Sequence, residues 1–341
     1  MNGVSAGGGA SEANADGGAR RAVVIHNPTK GDGSGLREAL ADASRAAGWS
    51  EPLWLETTPD DGGQGRAREA LAAGADVVVV SGGDGTVRCV AEGLRDSDVP
   101  LALAPAGTGN LLARNLALPL SSLEQSVDVA LTGRTRSVDL GVATLTAPDG
   151  SQSEHAFAVM AGLGLDAAMI ANARPALKRH VGWLAYVDSG VRSLRRATNV
   201  RVRFSVDEQG ERAARVSTIL VGNCGSLPGG IELLPDARID DALLDVALLQ
   251  PRSILGWLAI WRRVAWENRV LRRSSLGRRI IRLTGTRRSR RLITYLRGES
   301  VRIAVDEPEP FELDGDEFGE VVAVELRVDA GGLLVRVPDV D

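Results

Sequence analysis

The sequence predicts a two-domain protein, with an α/β domain built on a parallel sheet followed by a second, mostly antiparallel β domain. Its 341 residues exceed what one hydrophobic core usually organises, and an apolar content of 44% suffices for two cores. Short apolar runs alternate with helix-like stretches over residues 21–140, a pattern typical of parallel sheets with helices on both faces. From about residue 142 onward, strand-type runs follow one another instead.

The first domain carries four apolar runs of strand length, separated by stretches with helical spacing. The predicted strands are 22–25, 53–55, 77–80 and 101–104, and the predicted helices are 36–47, 66–73 and 87–94. Because ligands of such sheets bind beyond the carboxyl ends of the strands, we expect a site where these strands end.

The second domain is predicted to be rich in strands, with helical insertions. Its predicted strands are 157–160, 200–206, 216–221, 244–249, 280–283, 301–305 and 321–328, and its helical stretches lie near 175–196 and 253–273. The expected boundaries are a tail at 1–20, the α/β domain at 21–140 and the β-rich domain at 141–327, with 328–341 left open as a segment that completes the α/β domain. The tail consists largely of Gly, Ala, Ser and Asp, which favours disorder.

The cysteines and the apolar segments bear on the compartment. Cys89 and Cys224 are too few for a disulfide framework or a zinc site, which favours a reducing environment. The apolar stretch 254–261 is far shorter than a membrane span, and residues 1–20 carry no apolar signal core. We therefore expect a cytoplasmic protein, free or peripheral to a membrane.

Two glycine loops follow the third and fourth predicted strands. The first reads Ser81-Gly82-Gly83-Asp84-Gly85-Thr86, and the second reads Pro105-Ala106-Gly107-Thr108-Gly109-Asn110. Glycines at the end of a strand leave backbone N–H groups unobstructed, an arrangement suited to phosphate oxygens. A tight turn explains one or two glycines but not an aspartate flanked by three of them, so the first loop predicts a nucleotide site.

A third glycine loop follows the first predicted strand, and taken alone it is weak. It reads His26-Asn27-Pro28-Thr29-Lys30-Gly31-Asp32-Gly33-Ser34-Gly35. A plain turn explains it as well as a dinucleotide fingerprint does, with Glu56 as the ribose partner. Against the fingerprint, Leu36 stands where its third glycine would be.

Basic charge is concentrated in one segment. Residues 252–297 contain fourteen arginines against one acid, Glu267, in a chain of net charge −4. Trp257 and Trp261 fall on a helical stripe that is typical of core packing. Trp266 falls on a different stripe, next to arginines such as Arg262 and Arg269. Two interpretations stay open: a face that rests on anionic lipid headgroups, and internal pairing with the acids at 207–211 and 306–320.

Taken together, the motifs resemble the diacylglycerol kinase catalytic-domain family, which includes bacterial lipid kinases and sphingosine and ceramide kinases. The resemblance spans roughly residues 21–338 and rests on six motifs that occur in the family's order. They are Asn27-Pro28-Thr29-Lys30-Gly31, Gly82-Gly83-Asp84-Gly85-Thr86, Gly107-Thr108-Gly109-Asn110, Gly162-Leu163-Gly164-Leu165-Asp166-Ala167, Pro235-Asp236-Ala237 followed by Asp240-Asp241, and Asp314-Gly315-Asp316.

The resemblance implies a role for each matching residue. The residues that would contact ATP are Asn27, Pro28, Thr29, Lys30, Gly31, Thr58 or its neighbour Thr57, Gly83, Asp84, Gly85, Thr86, Val87, Arg88 and Thr108. Asp316 would be the general base, and Asp84 would orient the phosphates on the side where the metal ion binds. A magnesium ion would be held by the Asp241 side chain together with the backbone carbonyls of Arg238 and Leu243.

The chain departs from the family pattern at four positions. Leu111 stands where many bacterial members have aspartate, Arg88 replaces a common asparagine, and Ala242 replaces a common glycine. At the base, Asp316 stands where the family usually has glutamate. Aspartate is shorter by one methylene, and a misplacement of about 1 Å costs on the order of a hundredfold in rate.

Both acidic motifs also have a plain structural interpretation. Asp314 and Asp316 fall in the acidic run 306–320, where a glycine flanked by acids is typical of a solvated turn. Asp240 and Asp241 are equally compatible with a turn, although one carboxylate with two carbonyls suits a hard cation such as Mg²⁺.

The resemblance implies an ATP-dependent lipid kinase whose β-rich domain binds a lipid acceptor such as diacylglycerol or a sphingoid base. Its expected partners are the lipid substrate and the inner, anionic membrane surface, without nucleic acid, and a homodimer is left open. One alternative is a soluble kinase of the NAD kinase type, which is similar at the first glycine loop but not at Gly107-Thr108-Gly109-Asn110. Another is a nucleotide-responsive lipid-binding protein without turnover.

Overall fold

The computed structural model describes residues 19–164, 200–227, 231–251 and 292–339, together with Gly256, Ile260 and Arg262. Outside these residues lie nearly all of the predicted tail, the predicted helical stretch near 175–196 and the predicted strand at 280–283. Of the predicted helical stretch near 253–273, only Gly256, Ile260 and Arg262 are described. Within the described chain, fourteen strands form one continuous sheet and two short strands pair separately.

The first part of the chain is an α/β unit with four parallel strands in the order β2–β1–β3–β4. The strands are β1 (Ala22–His26), β2 (Leu53–Glu56), β3 (Val77–Ser81) and β4 (Leu101–Leu103). The helices are α1 (Ser34–Ala46), α2 (Gln64–Ala72), α3 (Asp84–Leu94), α4 (Leu111–Asn115) and α5 (Leu123–Thr132), with a 3₁₀ turn at Pro28–Lys30. The predicted α/β class is confirmed, and α4 and α5 are additions to the predicted helices.

Helices cover both faces of this parallel sheet, which explains its unbroken apolar strands. Every residue of β3 is buried. Val78 and Val80 belong to the cluster that contains the inner faces of α2 and α3, whereas Val77 and Val79 belong to the cluster that contains α1 and α5. Successive side chains of a strand point to opposite faces, so four valines in a row serve two cores.

The remaining strands are mostly antiparallel, as predicted. They are β5 (Arg134–Thr146), β6 (Gln152–Phe157), β7 (Met160–Gly164), β8 (Val200–Val206), β9 (Arg212–Val216), β10 (Thr218–Gly222), β11 (Ser226–Leu227), β12 (Ile231–Glu232), β13 (Leu244–Leu249), β14 (Ile293–Gly298), β15 (Ser300–Leu313) and β16 (Asp316–Val337). The sheet runs β14–β13–β10–β7–β15–β16–β4. A separate apolar cluster, which includes Phe157, Ile219 and Phe311, fills this half.

The long strand β16 joins the two halves. It begins in a hairpin with β15, pairs with β5 along its length, and ends beside β4, where Val335 lies opposite Leu101 in a parallel pairing. Within β5, Leu140 packs in a core of the first half and Ala143 in the core of the second. The expected boundaries after residues 140 and 327 therefore fall inside continuous strands.

Candidate active site

The two glycine loops lie side by side at the carboxyl ends of β3 and β4, which are parallel neighbours. The Ala106 N–H donates a hydrogen bond to the Gly82 carbonyl at 3.3 Å. A Cβ placed on Gly107 would lie 2.9 Å from the Cα of Gly83, closer than side chains tolerate. The two loops therefore form one continuous backbone surface.

Asp84 fastens the first glycine loop to the second. Its Oδ2 accepts from the Asn110 N–H at 3.0 Å and its Oδ1 from the Leu111 N–H at 2.6 Å, where α4 begins. A Cβ on Gly109 would collide with Oδ2. Burial raises the pKa of Asp84, whereas these N–H groups lower it. The observed contacts of Asp84 are thus with α4, and its role towards a metal ion stays a prediction.

Asn27 ties the loop after β1 to the first glycine loop. Its N–H donates to the Ser81 carbonyl at 2.8 Å, and its Nδ2 donates to the Thr86 Oγ1 at 3.0 Å. Its Oδ1 accepts from the backbone N–H and the hydroxyl of Thr29, which caps the 3₁₀ turn. Two separate sequence motifs therefore share one hydrogen-bonded framework.

Lys30 brings a positive charge to the same backbone surface. A Cβ on Gly83 would lie 3.4 Å from the Lys30 Cε and 3.9 Å from its Nζ. The helix α3, which is eleven residues long, begins at the next residue, Asp84. A lysine ammonium and the partial positive charge of a helix N-terminus both attract phosphate oxygens.

Asp316 reaches the first glycine loop from the other half of the chain. A Cβ on Gly85 would lie 2.6 and 2.9 Å from the two carboxylate oxygens of Asp316, so the carboxylate rests against the Cα of Gly85. The Asp316 side chain is 46% exposed. The structure therefore brings the predicted base and the predicted nucleotide loop into contact, with the carboxylate open to a bound molecule.

Asp314, two residues earlier, has the opposite environment. Its Oδ2 accepts from the Ala158 N–H at 2.7 Å, and its Oδ1 accepts from the N–H groups of Val159 and Met160 at 2.9 and 2.8 Å. Burial raises the pKa of Asp314 to about 6, although these hydrogen bonds lower it. A solvated turn does not describe Asp314, which instead fastens the link between β6 and β7.

Arg88 is directed towards Asp316 and Glu92. Its Nε lies 3.4 Å from the Asp316 Oδ2, and its Nη1 lies 3.2 Å from the Glu92 Oε2. Its guanidinium carbon lies 4.8 Å from the centre of the Phe318 ring. Glu92 and Phe318 were not predicted as site residues, although both carry a signal in the sequence. Glu92 follows Arg88 by one helical turn, and Phe318 lies two residues from Asp316 on one strand.

Several expected ATP contacts lie at the edge of this surface. Thr58 is exposed in a turn where its Oγ1 accepts from the Asp61 N–H at 3.1 Å, whereas its neighbour Thr57 is buried. Pro28, Thr29 and Thr108 are exposed. Val87 packs against the apolar core beneath α3, and its N–H donates to the Gly83 carbonyl at 3.0 Å.

The loop around Asp241 lies apart from the glycine loops, next to β5 and β14. The Ala242 N–H donates to the Asp139 Oδ2 at 2.7 Å, and Ala242 has a left-handed φ of 57°, which favours glycine. The Arg297 Nη1 lies 3.7 Å from the Asp241 Oδ2, and its Nη2 lies 3.0 Å from the Asp245 Oδ1. The Asp241 Oδ1 is buried and has no hydrogen-bond partner among the described residues. An oxygen without a donor is available to a cation.

Most of the arginine-rich segment lies outside the described residues. Of its fourteen arginines, Arg262 and Arg297 are described: Arg262 is exposed, whereas Arg297 forms the ion pairs with Asp241 and Asp245. In the part of the chain that the structure describes, no helix is both long and apolar enough to cross a membrane.

Two family models match the chain. Residues 21–143 match the diacylglycerol kinase catalytic domain, and residues 158–270 match the YegS C-terminal NAD kinase beta sandwich-like domain. A probable lipid kinase YegS-like from Pseudomonas aeruginosa (strain UCBPP-PA14) is 36% identical over 244 residues, which cover 69% of this chain and 74% of that protein. A diacylglycerol kinase from Mycobacterium tuberculosis (strain ATCC 25618 / H37Rv) is 29% identical over 235 residues, which cover 68% of this chain and 74% of that protein.

Solved structures share the fold. A diacylglycerol kinase from Bacillus anthracis str. Sterne superposes with a TM-score of 0.62 at 18% identity, over 94% of this chain and 97% of that chain. Yeast NADH kinase complexed with NADH superposes with a TM-score of 0.51 at 10% identity, over 95% of this chain and 84% of that chain. At these identities the superpositions establish the fold alone.

Proposed function

Since this chain belongs to the diacylglycerol kinase catalytic-domain family and is an ATP-dependent lipid kinase, we propose that it transfers the γ-phosphoryl group beside the contact between Asp316 and Gly85. One observation carries the proposal: a half-exposed carboxylate lies against the first turn of the helix that follows the glycine loop. A general base in that position lies next to any phosphate bound by the loop.

In this mechanism Asp316 accepts the proton of the lipid hydroxyl. The hydroxyl oxygen forms a bond to the γ-phosphorus as the bond from that phosphorus to the β,γ-bridging oxygen breaks, and the bonding electron pair leaves with ADP. The products are a lipid phosphate, ADP and a proton on Asp316, which is exposed enough to release it to solvent. Such transfers depend mainly on positioning and electrostatic stabilisation.

The phosphates are proposed to be held by backbone rather than by acidic side chains. The glycines of the two loops place no side chains over their N–H groups, and Lys30 adds a positive charge beside Gly83. The amino end of α3 adds a partial positive charge that falls off within the first turn. These groups would offset the negative charge that grows on the transferred phosphoryl oxygens.

The acceptor is proposed to be a lipid with one free hydroxyl, such as diacylglycerol or a sphingoid base. The test is a radiolabelled ATP assay with a panel of such lipids and with NAD, followed by Asp316→Asn. We expect Asp316→Asn to lower kcat by at least about a hundredfold, the usual contribution of a general base, with little change in ATP affinity. Glu317→Gln is the matched control, because Glu317 is the exposed neighbouring acid on the same strand. Full activity of Asp316→Asn would contradict the proposal.

Magnesium is proposed at the Asp241 loop. The fit rests on the buried Asp241 Oδ1, which has no hydrogen-bond partner in the described chain, and carboxylate and carbonyl oxygens are the ligands that this hard cation prefers. The backbone carbonyls of Arg238 and Leu243 would complete the protein ligands. When bound, the ion would supply charge that fixes this loop against the neighbouring strands. In the described chain no three His, Cys, Asp or Glu side chains cluster to hold a metal.

Contact with the inner, anionic membrane surface is proposed from the arginine-rich sequence 252–297, most of which lies outside the described residues. Arg297 is already paired internally, so the remaining arginines carry this proposal. Attraction to anionic lipid is worth about 1 kcal/mol per basic residue and decays within a Debye length. Co-sedimentation with anionic vesicles should therefore weaken steeply as salt rises, and binding that does not depend on lipid charge would contradict the proposal.

A homodimer stays a prediction that light scattering on the purified protein can check.

A further inference from the structure

The charged group beside Asp316 is the guanidinium of Arg88. The Arg88 Nε lies 3.4 Å from the Asp316 Oδ2. The Arg88 side chain is 9% exposed, whereas that of Asp316 is 46% exposed, so the arginine is the fixed member of the pair. Since Asp316 is a short side chain with an exposed carboxylate, the buried partner limits the directions it can take.

Arg88 is itself held from three sides. Its Nη1 donates to the Glu92 Oε2 at 3.2 Å, its Nη2 lies 3.3 Å from the Cys89 Sγ, and its guanidinium stacks on the Phe318 ring at 4.8 Å. A planar guanidinium that is hydrogen-bonded to a carboxylate and stacked on an aromatic ring has little rotational freedom.

Glu92, the anchor of Arg88, is fixed by the surrounding structure. Its Oε2 also accepts from the Ala156 N–H at 3.1 Å, and its Oε1 accepts from the Gln64 Nε2 at 2.8 Å. The network therefore runs from α2 and β6 through α3 to the first residue of β16. Both halves of the chain contribute to the orientation of one carboxylate.

We propose that Arg88 is a positioning residue for Asp316, and this inference rests on the proposed role of Asp316 as the base. Arg88 holds the carboxylate against Gly85, so that a side chain one methylene shorter than glutamate keeps one orientation towards the acceptor hydroxyl. The guanidinium is turned towards Asp316 and Glu92, so Arg88 acts through the base and not as a ligand of the phosphates. The resemblance had implied an ATP contact for this residue.

The test compares Arg88→Gln, Arg88→Lys and the control Arg95→Gln. Arg95 lies at the carboxyl end of α3 and forms ion pairs with Asp329 at 2.6 Å and Glu154 at 3.0 Å, but it does not contact Asp316. We expect Arg88→Gln to lower kcat by between about tenfold and a hundredfold, the loss typical of a misplacement approaching 1 Å, with KM for ATP within about twofold. Arg88→Lys should recover part of the loss, and Arg95→Gln should lower Tm with kcat unchanged.

A double-mutant cycle with Asp316→Glu completes the test. Because a glutamate side chain reaches further than aspartate, Arg88→Gln should lower kcat by a smaller factor in the Asp316→Glu background than in the wild type. A raised KM for ATP with normal kcat would make Arg88 a phosphate ligand and overturn the inference, as would equal losses in both backgrounds. If Arg88→Gln keeps full activity while Asp316→Asn is inactive, this inference alone fails. If Asp316→Asn is active, the proposed function fails together with it.

Discussion

Substituting Gly85 by alanine tests the contact on which the proposed mechanism depends. A Cβ at this position would lie 2.6 Å from the Asp316 Oδ2, whereas ordinary van der Waals contact begins at 3.4 Å, so the carboxylate must move by about 0.8 Å. A displacement near 1 Å costs on the order of a hundredfold in rate, or about 2.7 kcal/mol in activation free energy. The substitution does not reduce the stability of helix α3, because alanine is favoured over glycine within a helix by up to about 1 kcal/mol.

The assay measures kcat with radiolabelled ATP and an accepted lipid, together with the melting temperature. Gly85→Ala should lose activity without losing thermal stability. Gly133→Ala is the control, because a Cβ there would collide with the backbone carbonyl oxygens of Val129 and Val337, which take no part in the contacts of Asp316 and Arg88. It should lower Tm and leave kcat unchanged. A Gly85→Ala enzyme whose kcat stays within about threefold of the wild type would refute the argument that Asp316 acts from this position.

Three further predictions concern the acidic side chains. Asp84→Asn should lower Tm and kcat together, because an amide accepts from only one of the two α4 N–H groups and an unsatisfied buried donor costs about 1–3 kcal/mol; an unchanged Tm would contradict this. The pKa of Asp314 is raised to about 6 by burial, so the folded protein holds this proton more tightly than the unfolded chain, and the resulting stability is present below about pH 4 and is lost as the pH rises through 6. In urea unfolding, the wild type should therefore exceed Asp314→Asn in free energy of unfolding by an amount that decreases from pH 4 to pH 7. Parallel pH profiles of the two proteins would contradict this prediction. Mg²⁺ should raise the Tm of the wild type above its value in chelator but leave Asp241→Ala unaffected, whereas equal wild-type values would exclude a stabilising cation at this loop.

The α/β half could be predicted closely because β1, β3 and β4 are buried on both faces. Such strands read as uninterrupted apolar runs, and the predicted segment 77–80 lies within β3 (Val77–Ser81). The short helix α4 was not predicted. It has only five residues, and Asp84 on a different loop caps its first turn. Local sequence does not show a cap that comes from elsewhere in the chain.

The strand that the two halves share was less accessible to sequence reasoning. A change from alternating to strand-rich segments indicates that two architectures meet, but it does not show that a single strand serves both. β16 spans Asp316–Val337 because it pairs first with β15 and finally with β4. Strand pairing joins residues far apart along the chain, so it leaves no local periodicity that a boundary prediction could use.

By itself, the sequence singled out the candidate groups: the glycine loops, Lys30, and the two aspartates that flank Gly315. Only the tertiary structure decided how the two aspartates differ. Asp314 is buried under three backbone N–H groups, whereas Asp316 lies against Gly85 and pairs with Arg88. The physical reason is that the residue types and the turn are set locally, whereas desolvation, hydrogen-bond donors and neighbouring charges come from segments that only folding brings together.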